Sequence, residues 1–564
     1  MTNSPTWGWP AWLMVVPVVL PLMGALIYAL LGWRAGTRWV GVISATCVLA
    51  AAIAIAAGVT ASGPQVTFFS LLRVDALSAF LLIVIGAVAL ISAVPTPRYL
   101  AVEVAAGRAD DRDCRHMLML VQVFLALMAL AVLAAGLGVL WVAIEATTIV
   151  TAFLVGQRRG RAAVEAAWKY VVICSTGIAL ALLGTFLLNF AAQHTPSPSP
   201  GLDWVDLVAA APHLDPGVTR IAVALLIVGF GTKAGLAPLH AWLPDAYSQA
   251  PAPVAALMSG VLVSVAFYAV LRVKVIADAA LGPEFARALL VVLALASLTL
   301  AASLLLAQRD YQRMLAYSSI ENMGLVALGA AIGSPLAIAA VLLHILAHGL
   351  IKSSLFLGAG RILQVTGTSR IDRVRGLAAR EPLLAECFGF GVLAIIAFPP
   401  FALFASELGM ARAGFDSGMG WQMTAALLLV LVIAAALVNH TSRMLLGAPV
   451  AVSVGPAGPA TVGALGPQPA GPFAAHPVAV RTLPGSPPGA SGVAVAEPVA
   501  LAPPIPTVSP TGADEPQHSP SRSRPGAEVY AMGGALVACA VLGLTLGPLG
   551  PLLAQATAVI TRTP

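Results

Sequence analysis

Long apolar runs recur along almost the whole chain and limit what it can fold into. Each run has about 20 residues or more, enough to cross a hydrocarbon layer of roughly 30 Å as an α-helix. About fourteen such runs are present, and they begin near Trp12, Val40, Ala76, Met117, Leu140, Tyr170, Ile221, Val254, Ala286, Met314, Pro335, Leu384, Trp421 and Val529. They are too long and too uniformly apolar for barrel strands. The sequence therefore predicts an all-α polytopic membrane protein.

The composition agrees with this fold class. Of 564 residues, 59% are hydrophobic and only 10% are charged, whereas soluble domains contain roughly 25% charged residues. The N-terminal run has no Lys or Arg before Arg34 and no small-residue cleavage site after it, so we expect a retained helix and not a signal peptide.

Basic residues indicate the orientation of the helices. They fall in alternate loops, at Arg34, Arg38, Arg98, Arg108, Arg112, Arg115, Arg158, Arg159, Arg161, Arg309, Arg313, Arg361, Arg370, Arg373, Arg375 and Arg380. Positive charge marks cytoplasmic loops, so we expect a multi-pass protein of the cell membrane with both termini outside. The net charge of +6 then follows from topology and gives no reason to expect a nucleic-acid partner.

Sequence patterns typical of cofactor sites are missing from the chain. The five cysteines are scattered and contain no C-x-x-C pair, and neither a phosphate-binding loop nor a dinucleotide-binding fingerprint occurs. We therefore expect no cofactor, metal or catalytic residue here, with any redox chemistry on other subunits.

A segment rich in Pro, Ala, Gly and Ser, roughly 448–528, separates the last two apolar runs. Such a composition cannot bury a core, so we expect a disordered or polyproline-like cytoplasmic linker. A tethering or partner-binding role is the alternative.

Ionisable residues inside the apolar runs are the first candidates for function, because a charge near the bilayer centre costs about 2.5 to 3.5 kcal/mol. Glu145 in the fifth run and Lys233 in the seventh reach similar depths, roughly 12 Å or more from the outer end at 1.5 Å per residue. Pro238, with Gly231 and Gly235, predicts an interrupted helix beside the lysine. Transporters build ion sites at such breaks, although a purely structural carboxylate is an alternative for Glu145.

The eleventh run carries His344, His348 and Lys352 at spacing i, i+4, i+8, which places them on one helix face. Neutral imidazoles can pass protons at physiological pH, so this face is a candidate proton relay. A buried structural role is one alternative. A metal site is another, but no carboxylate shares the face and the lysine would repel a cation.

Five further residues are weaker candidates. Glu407 follows two prolines in the twelfth run, which predicts a second interrupted helix, but Glu407 could also be an interfacial carboxylate. Lys169, His240 and Asp245 lie toward the cytoplasmic side and could take up protons, or could merely snorkel or cap the broken helix. The position of Glu321 leaves its role open.

Four stretches together resemble one known family. They are GTKAGLAPLHAWLPDAYSQAPAPVAALMSG, DYQRMLAYSSIENMG, LLHILAHGLIKSSLFLGAG and FPPFALFASE. In this order and spacing they resemble the antiporter-like subunits shared by respiratory complex I, multi-subunit cation/proton antiporters and membrane-bound hydrogenases. The segments AAWKYVVICSTGIALALLG, MSGVLVSVAFYAVLR and AYSSIENMG look most like component F of hydrogenase-4 type complexes.

The resemblance implies a fold of two inverted five-helix repeats, helices four to eight and nine to thirteen, with the seventh and twelfth helices broken. The predicted regions are a three-helix N-terminal part, the first repeat, the second repeat, the linker and a final helix, at 1–115, 116–280, 281–447, 448–528 and 529–564.

The resemblance also implies a path for protons. The carboxylate of the fifth helix would pair with the lysine of the seventh, here Glu145 and Lys233, and the path would continue through the eleventh helix to Glu407. Many family members carry a lysine in the eighth helix where this chain has Ser264, so the middle of the path departs from the family.

Three functions are consistent with these features. The first is a proton-translocating, non-catalytic subunit of a redox-driven complex, with other membrane subunits, a peripheral redox arm and lipid as partners. The second is a Na⁺/H⁺ or K⁺/H⁺ antiporter subunit. The third is a membrane anchor that no longer conducts.

Overall fold

The computed structural model describes residues 11–67, 70–195, 201–446 and 526–561. The predicted linker lies outside these residues except at its end, where a helix begins at Ala527. Between residues 11 and 250 the helices are α1 (Val16–Leu31), α2 (Val40–Ser62), α3 (Ala76–Ala93), α4 (Thr96–Ala105), α5 (Asp111–Leu133), α6 (Leu137–Val155), α7 (Arg161–Gln193), α8 (Trp204–Ala210), α9 (Pro216–Lys233) and α10 (Trp242–Gln249).

The remaining described residues are also mainly helical. They form α11 (Ala252–Leu257), α12 (Val263–Leu281), α13 (Pro283–Leu306), α14 (Tyr311–Ile332), α15 (Pro335–Thr366), α16 (Leu377–Arg380), α17 (Pro382–Ile395), α18 (Ala402–Asp416), α19 (Gly420–Leu446), α20 (Ala527–Leu544) and α21 (Leu549–Thr561). A π-helical segment, Met258–Leu262, joins α11 to α12. Two short strands, β1 (Gln65–Thr67) and β2 (Leu72–Val74), pair antiparallel.

Within the described ranges, twelve helical spans are long and apolar enough to cross a membrane. They match twelve of the fourteen predicted runs. The first run is α1, with 16 residues, and the twelfth is divided between α17 and α18, with 14 and 15 residues. The all-α polytopic prediction is confirmed, whereas the exact number of crossings and the inverted repeats stay predictions. The sequence did not predict α8 or α21.

Both predicted helix interruptions are present. Helix α9 ends at Lys233 and α10 begins at Trp242, while α17 ends at Ile395 and α18 begins at Ala402. After the first break Gly235 has a φ of +83°, a backbone conformation that residues with a side chain rarely adopt. The glycine thus turns the chain immediately beyond the lysine.

Four of the five arginine-rich segments contact one another, at their loops or the helix ends beside them, and so share one face of the bundle. Three contacts join them: Arg159 with Asp113 at 3.1 Å, Gln364 with Glu103 at 2.8 Å, and a backbone bridge between Asp310 and Arg370. This supports the predicted grouping of the basic loops on one side. We call this side the basic face.

A buried ion pair fastens helix ends on the opposite face. Asp75 caps α3 by accepting a 3.0 Å hydrogen bond from the Ser78 N–H, and it pairs with Arg272 of α12 at 2.7 Å. Both side chains are less than 10% exposed. The contact therefore ties α3 to α12.

Helices α12, α14 and α15 form the interior of the bundle. In the spans Ala252–Leu281 and Tyr311–Ile332 the most apolar stretch is fully buried, and in Pro335–Thr366 nearly so. Helix α14 carries Glu321, and α15 carries His344, His348 and Lys352. All four side chains are buried, so they face protein and not lipid.

Helices α7 and α9 cross at glycines. A Cβ atom on Gly229 would lie 2.5 Å from the Gly177 carbonyl oxygen, and one on Gly177 would lie 2.5 Å from Cβ of Thr232. Small residues allow this close approach of two membrane helices. The crossing brings Tyr170 of α7 to the end of α9, where Lys233 lies.

Candidate functional site

Lys233 is fully buried at the end of α9. Its ammonium donates hydrogen bonds of 2.7 Å to Thr148 Oγ1 and 2.5 Å to Tyr170 Oη, and it lies 4.6 Å from the centre of the Tyr170 ring. A lysine inside a membrane protein needs such partners. Two neutral hydroxyls and an aromatic ring surround this charge.

Glu145 is joined to Lys233 through a hydroxyl. Its carboxylate accepts hydrogen bonds of 3.2 Å from Thr148 and 3.1 Å from Ser175. A threonine hydroxyl can accept one hydrogen bond while it donates another. The predicted pair is therefore close, but it is bridged by Thr148.

Tyr170 extends this network into α6. Its hydroxyl lies 2.6 Å from Thr151 Oγ1, and Thr151 donates a 2.5 Å bond to the Thr147 carbonyl. Since Thr151 has a single hydrogen, Tyr170 donates to Thr151 while it accepts from Lys233. The phenol is thus held in one orientation.

Serine hydroxyls occupy the middle of the predicted path. Ser264 is buried and donates 2.9 Å to the Gly260 carbonyl of its own helix. Ser259, in the π-helical segment, lies 3.1 Å from Ser319 of α14. The structure does not join Ser264 to the Lys233 network by a hydrogen bond.

Four aromatic rings bridge the space between Lys233 and α15. Tyr170 packs edge-on against Trp242 at 5.0 Å, Trp242 against Tyr247 at 6.0 Å, and Tyr247 against Phe356 at 5.5 Å between ring centres. Phe356 lies one turn beyond Lys352. The row therefore connects the surroundings of the two buried lysines.

Lys352 is also fully buried. It donates a 2.6 Å hydrogen bond to the Leu315 carbonyl and a second bond to the Ser318 hydroxyl, both on α14. Like Lys233, it is held by neutral oxygens of a neighbouring helix.

His344 has a hydrogen-bond partner at each ring nitrogen. Nε2 lies 3.0 Å from Asn322 Oδ1, and Nδ1 lies 3.0 Å from Ser406 Oγ. The amide oxygen can only accept, so Nε2 carries a hydrogen. Ser406 can donate to Nδ1 of a neutral ring, or accept from a protonated ring while donating 2.8 Å to the Leu403 carbonyl. The site therefore accommodates both charge states of His344.

His348 differs from its neighbour. Both ring nitrogens are buried and lack a hydrogen-bond partner among the described residues. An unsatisfied buried polar group costs about 1 to 3 kcal/mol. A structural, hydrogen-bonded role therefore fits His344 but not His348.

Two carboxylates, the buried Glu321 and the half-buried Glu407, stand near the end of the predicted path. One oxygen of Glu407 is buried without a partner among the described residues. Glu321 is only 2% exposed, accepts a 2.8 Å bond from Asn322, and lies one turn beyond Ser318, which accepts a hydrogen bond from Lys352. Glu321 therefore belongs to the same cluster, although its position in the sequence left its role open.

The predicted uptake residues lie on the other side of the first break. Asp245 of α10 pairs with Lys169 of α7 at 3.3 Å and with Arg313 of α14 at 2.5 Å. Nδ1 of His240 instead lies 3.2 Å from the Pro238 carbonyl. The structure brings Lys169 and Asp245 together and leaves His240 at the break.

Sequence reasoning missed the polar residues that connect the charged ones. These are Thr148, Tyr170, Ser318, Asn322 and Ser406. A weak signal was present in the hydroxyl-rich strings TTIVT and YSSIEN within apolar runs. Hydroxyls are common in membrane helices, so the strings alone do not single out a site.

The fold and the buried charges define a polytopic helical membrane protein with a row of ionisable groups inside its bundle. The chain belongs to the family described as NADH:quinone oxidoreductase/Mrp antiporter, TM, which matches residues 134–433. The resemblance found in the sequence is thereby confirmed.

Known relatives agree with this assignment. The hydrogenase-4 component F homolog of Methylacidiphilum infernorum is 37% identical over 353 residues, covering 62% of this chain and 74% of the relative. The F(420)H(2) dehydrogenase subunit N of Methanosarcina mazei is 33% identical over 377 residues, covering 64% and 73%. A chain in the structure of the membrane-bound sulfane sulfur reductase, an archaeal respiratory membrane complex, has the same fold, with a TM-score of 0.77 at 21% identity over 98% of both chains.

Proposed function

We propose that this chain is the proton-translocating membrane subunit of a redox-driven complex, hydrogenase-like or complex-I-like. The observation that carries the proposal is the pair of fully buried lysines, Lys233 and Lys352, each bonded to a hydroxyl of a neighbouring helix. The imidazoles of His344 and His348 and the carboxylate of Glu407 lie beyond them on α15 and α18. Lysine, histidine and glutamate can each bind and release a proton.

The bridged Glu145 provides a means of control. At about 5 Å and an effective dielectric constant near 20, it stabilises the Lys233 ammonium by about 3 kcal/mol. A movement of Glu145 away from Thr148 would remove this attraction, and burial would then favour release of the proton. Moving one charge across 100 mV requires about 2.3 kcal/mol, so a switch of this size is of the right order.

The proton would travel from Lys233 past the serines and aromatic rings that lie between the two buried lysines. It would reach Lys352, His348 and His344 on α15, and from there Glu407. Uptake would occur on the basic face near Lys169 and Asp245, with His240 beside the break. Ser264 would serve the middle of the path only if its hydroxyl turned away from Gly260.

The proposal places the chain in the cell membrane with the basic face toward the cytoplasm and both termini outside. Its partners would be other membrane subunits and a peripheral redox arm that supplies the energy. The names of the relatives, a hydrogenase-4 component and a dehydrogenase subunit, support an association with other subunits of a redox complex.

The test is proton translocation by the intact complex, isolated through an affinity tag on this chain and identified by its co-purifying subunits. In inverted vesicles driven by H₂, or by NADH in a parallel series, Lys233→Ala is expected to abolish acidification while electron transfer continues. Arg412→Gln, at an exposed ion pair of α18, is the matched control.

The same assay separates the two rival functions. Proton flux that requires Na⁺ or K⁺ would identify an antiporter. Undiminished pumping by an assembled complex with Lys233→Ala would identify a structural anchor and refute the proposal.

A further inference from the structure

Glu321 occupies a position that the path described above does not use. It lies on α14, enclosed by other helices, with 2% of its surface exposed. Lys352 donates a hydrogen bond to Ser318, one helical turn before Glu321. On the other side, His344 joins Asn322, the residue after Glu321, to Ser406, the residue before Glu407. The carboxylate is therefore placed to connect the second buried lysine to the last acidic group.

The surroundings of Glu321 repeat those of Glu145. Lys233 donates to Thr148, three residues after Glu145 on α6, and Lys352 donates to Ser318, three residues before Glu321 on α14. Residues three apart share one helix face. In both places a buried lysine donates to a hydroxyl on a neighbouring helix. That same helix carries a carboxylate one turn away from the hydroxyl.

Asn322 fixes the orientation of this carboxylate. Its amide nitrogen donates 2.8 Å to Glu321 Oε2 and 2.7 Å to the Ser318 carbonyl, and its oxygen faces His344 Nε2 at 3.0 Å. A carboxamide does not gain or lose a proton at physiological pH, so Asn322 is a positioning residue. Its amide nitrogen binds Glu321 and its amide oxygen binds His344.

We propose that Glu321 is a proton carrier between Lys352 and Glu407. The Lys352 ammonium gives its proton to a Glu321 carboxylate oxygen, which leaves a neutral amine and a neutral carboxylic acid. The acid then gives the proton to the Glu407 carboxylate, and Glu321 returns to its anionic form. This inference rests on the proposed function, because it assigns a step within the same translocation.

The competing explanation is a fixed carboxylate that only balances the Lys352 charge. Glu321→Gln distinguishes the two, since glutamine keeps the shape and an acceptor for Asn322 but cannot carry a proton. Glu386→Gln, at an exposed carboxylate of α17, is the control.

Two measurements are made on the assembled complex in vesicles. Glu321→Gln is expected to slow proton translocation by at least about a hundredfold, the lower end of the effect of losing a proton-transfer group. An infrared difference spectrum during turnover is expected to show a carboxylic acid C=O band that Glu321→Gln loses and Glu386→Gln keeps.

The outcomes separate the inference from the proposed function. If the wild-type complex does not translocate protons, the proposed function fails. If it does, a wild-type rate in Glu321→Gln overturns the inference, and so does a slow variant that retains the infrared band. Should Glu321→Gln not assemble, Glu321→Asp, which keeps a carboxyl group, is expected to translocate protons with a shifted infrared band, and an unshifted band overturns the inference.

Discussion

Lys233 donates a 2.7 Å hydrogen bond to Thr148, and the Thr148 hydroxyl in turn donates to the carboxylate of Glu145. A direct ion pair at about 4 Å would hold the lysine by about 4 kcal/mol at a dielectric constant of 20, compared with about 3 kcal/mol at 5 Å. The bridged arrangement is the weaker one. The connection between Lys233 and Glu145 also depends on the rotation of the Thr148 side chain.

Thr148→Val should separate the two charges without changing the shape of α6. Loss of the hydroxyl leaves Lys233 and Glu145 each short of a partner, and a buried unsatisfied group costs about 1 to 3 kcal/mol. We expect reduced thermal stability and a fall of about tenfold in proton translocation, which corresponds to about 1.4 kcal/mol on the barrier, measured in vesicles. Thr148→Ser should retain most of both.

A suitable control for this substitution is Thr176→Val. Thr176 is exposed on α7 and bonds only the Val172 carbonyl. Equal losses from Thr176→Val and Thr148→Val would show that the bridge has no special role.

Tyr170→Phe should have an intermediate effect. The phenylalanine removes the 2.5 Å hydrogen bond to Lys233 but keeps the aromatic face, at 4.6 Å in the native protein, and a cation–π contact contributes about 0.5 to 2 kcal/mol. We expect slower translocation than in the native complex but faster than in Tyr170→Leu, which loses both contacts. The control is Tyr530→Phe, at an exposed tyrosine, which should not change translocation. Equal translocation rates in Tyr170→Phe and Tyr170→Leu would contradict this account.

The Asp75 ion pair should be important for stability. Removal of one partner of a buried pair costs about 3 to 5 kcal/mol, so Asp75→Ala should lower the unfolding temperature of the detergent-solubilised protein. Asp75→Leu combined with Arg272→Met should recover part of the loss, because no buried charge is then left unpaired. A neutral result for Asp75→Ala would show that the pair contributes little.

The same pair predicts a pH dependence. Burial raises the pKa of Asp75, but the Arg272 charge and the Ser78 N–H outweigh it, so the pKa lies below its ordinary value. The stabilisation is therefore present above the unfolded pKa of about 3.9 and is lost as the pH falls through the lower folded value. Between neutral and strongly acidic pH, the native protein should lose more stability than Asp75→Asn does, as followed by thermal unfolding.

Asp245→Asn should affect transport more than stability. Its partners Lys169 and Arg313 are 49% and 39% exposed, and partly exposed ion pairs contribute about 0 to 1 kcal/mol. If the cluster takes up protons, their translocation should slow while the unfolding temperature changes little. The control is Asp416→Asn, which breaks the exposed pair with Arg412 and should leave transport unchanged. If Asp245→Asn also leaves transport unchanged, the cluster is only structural.

Much of the site could be read from the sequence because charge is rare in apolar helices. Glu145, Lys233, Lys352 and Glu407 stood out for that reason, and the prolines and glycines nearby predicted the two breaks that the structure contains. Glu321 was harder to interpret, since its depth in the tenth run did not reveal which groups it faces.

The sequence by itself determined that the chain is a bundle of membrane helices, where its helices break and which ionisable residues lie within apolar runs. These properties depend on local composition and on the energy of placing charge in an apolar medium. Tertiary structure alone decided that Thr148 stands between Glu145 and Lys233, and that Lys352 bonds Ser318, one turn from Glu321. Such contacts join helices that are distant in sequence, and they follow from how the helices pack, which no single helix specifies.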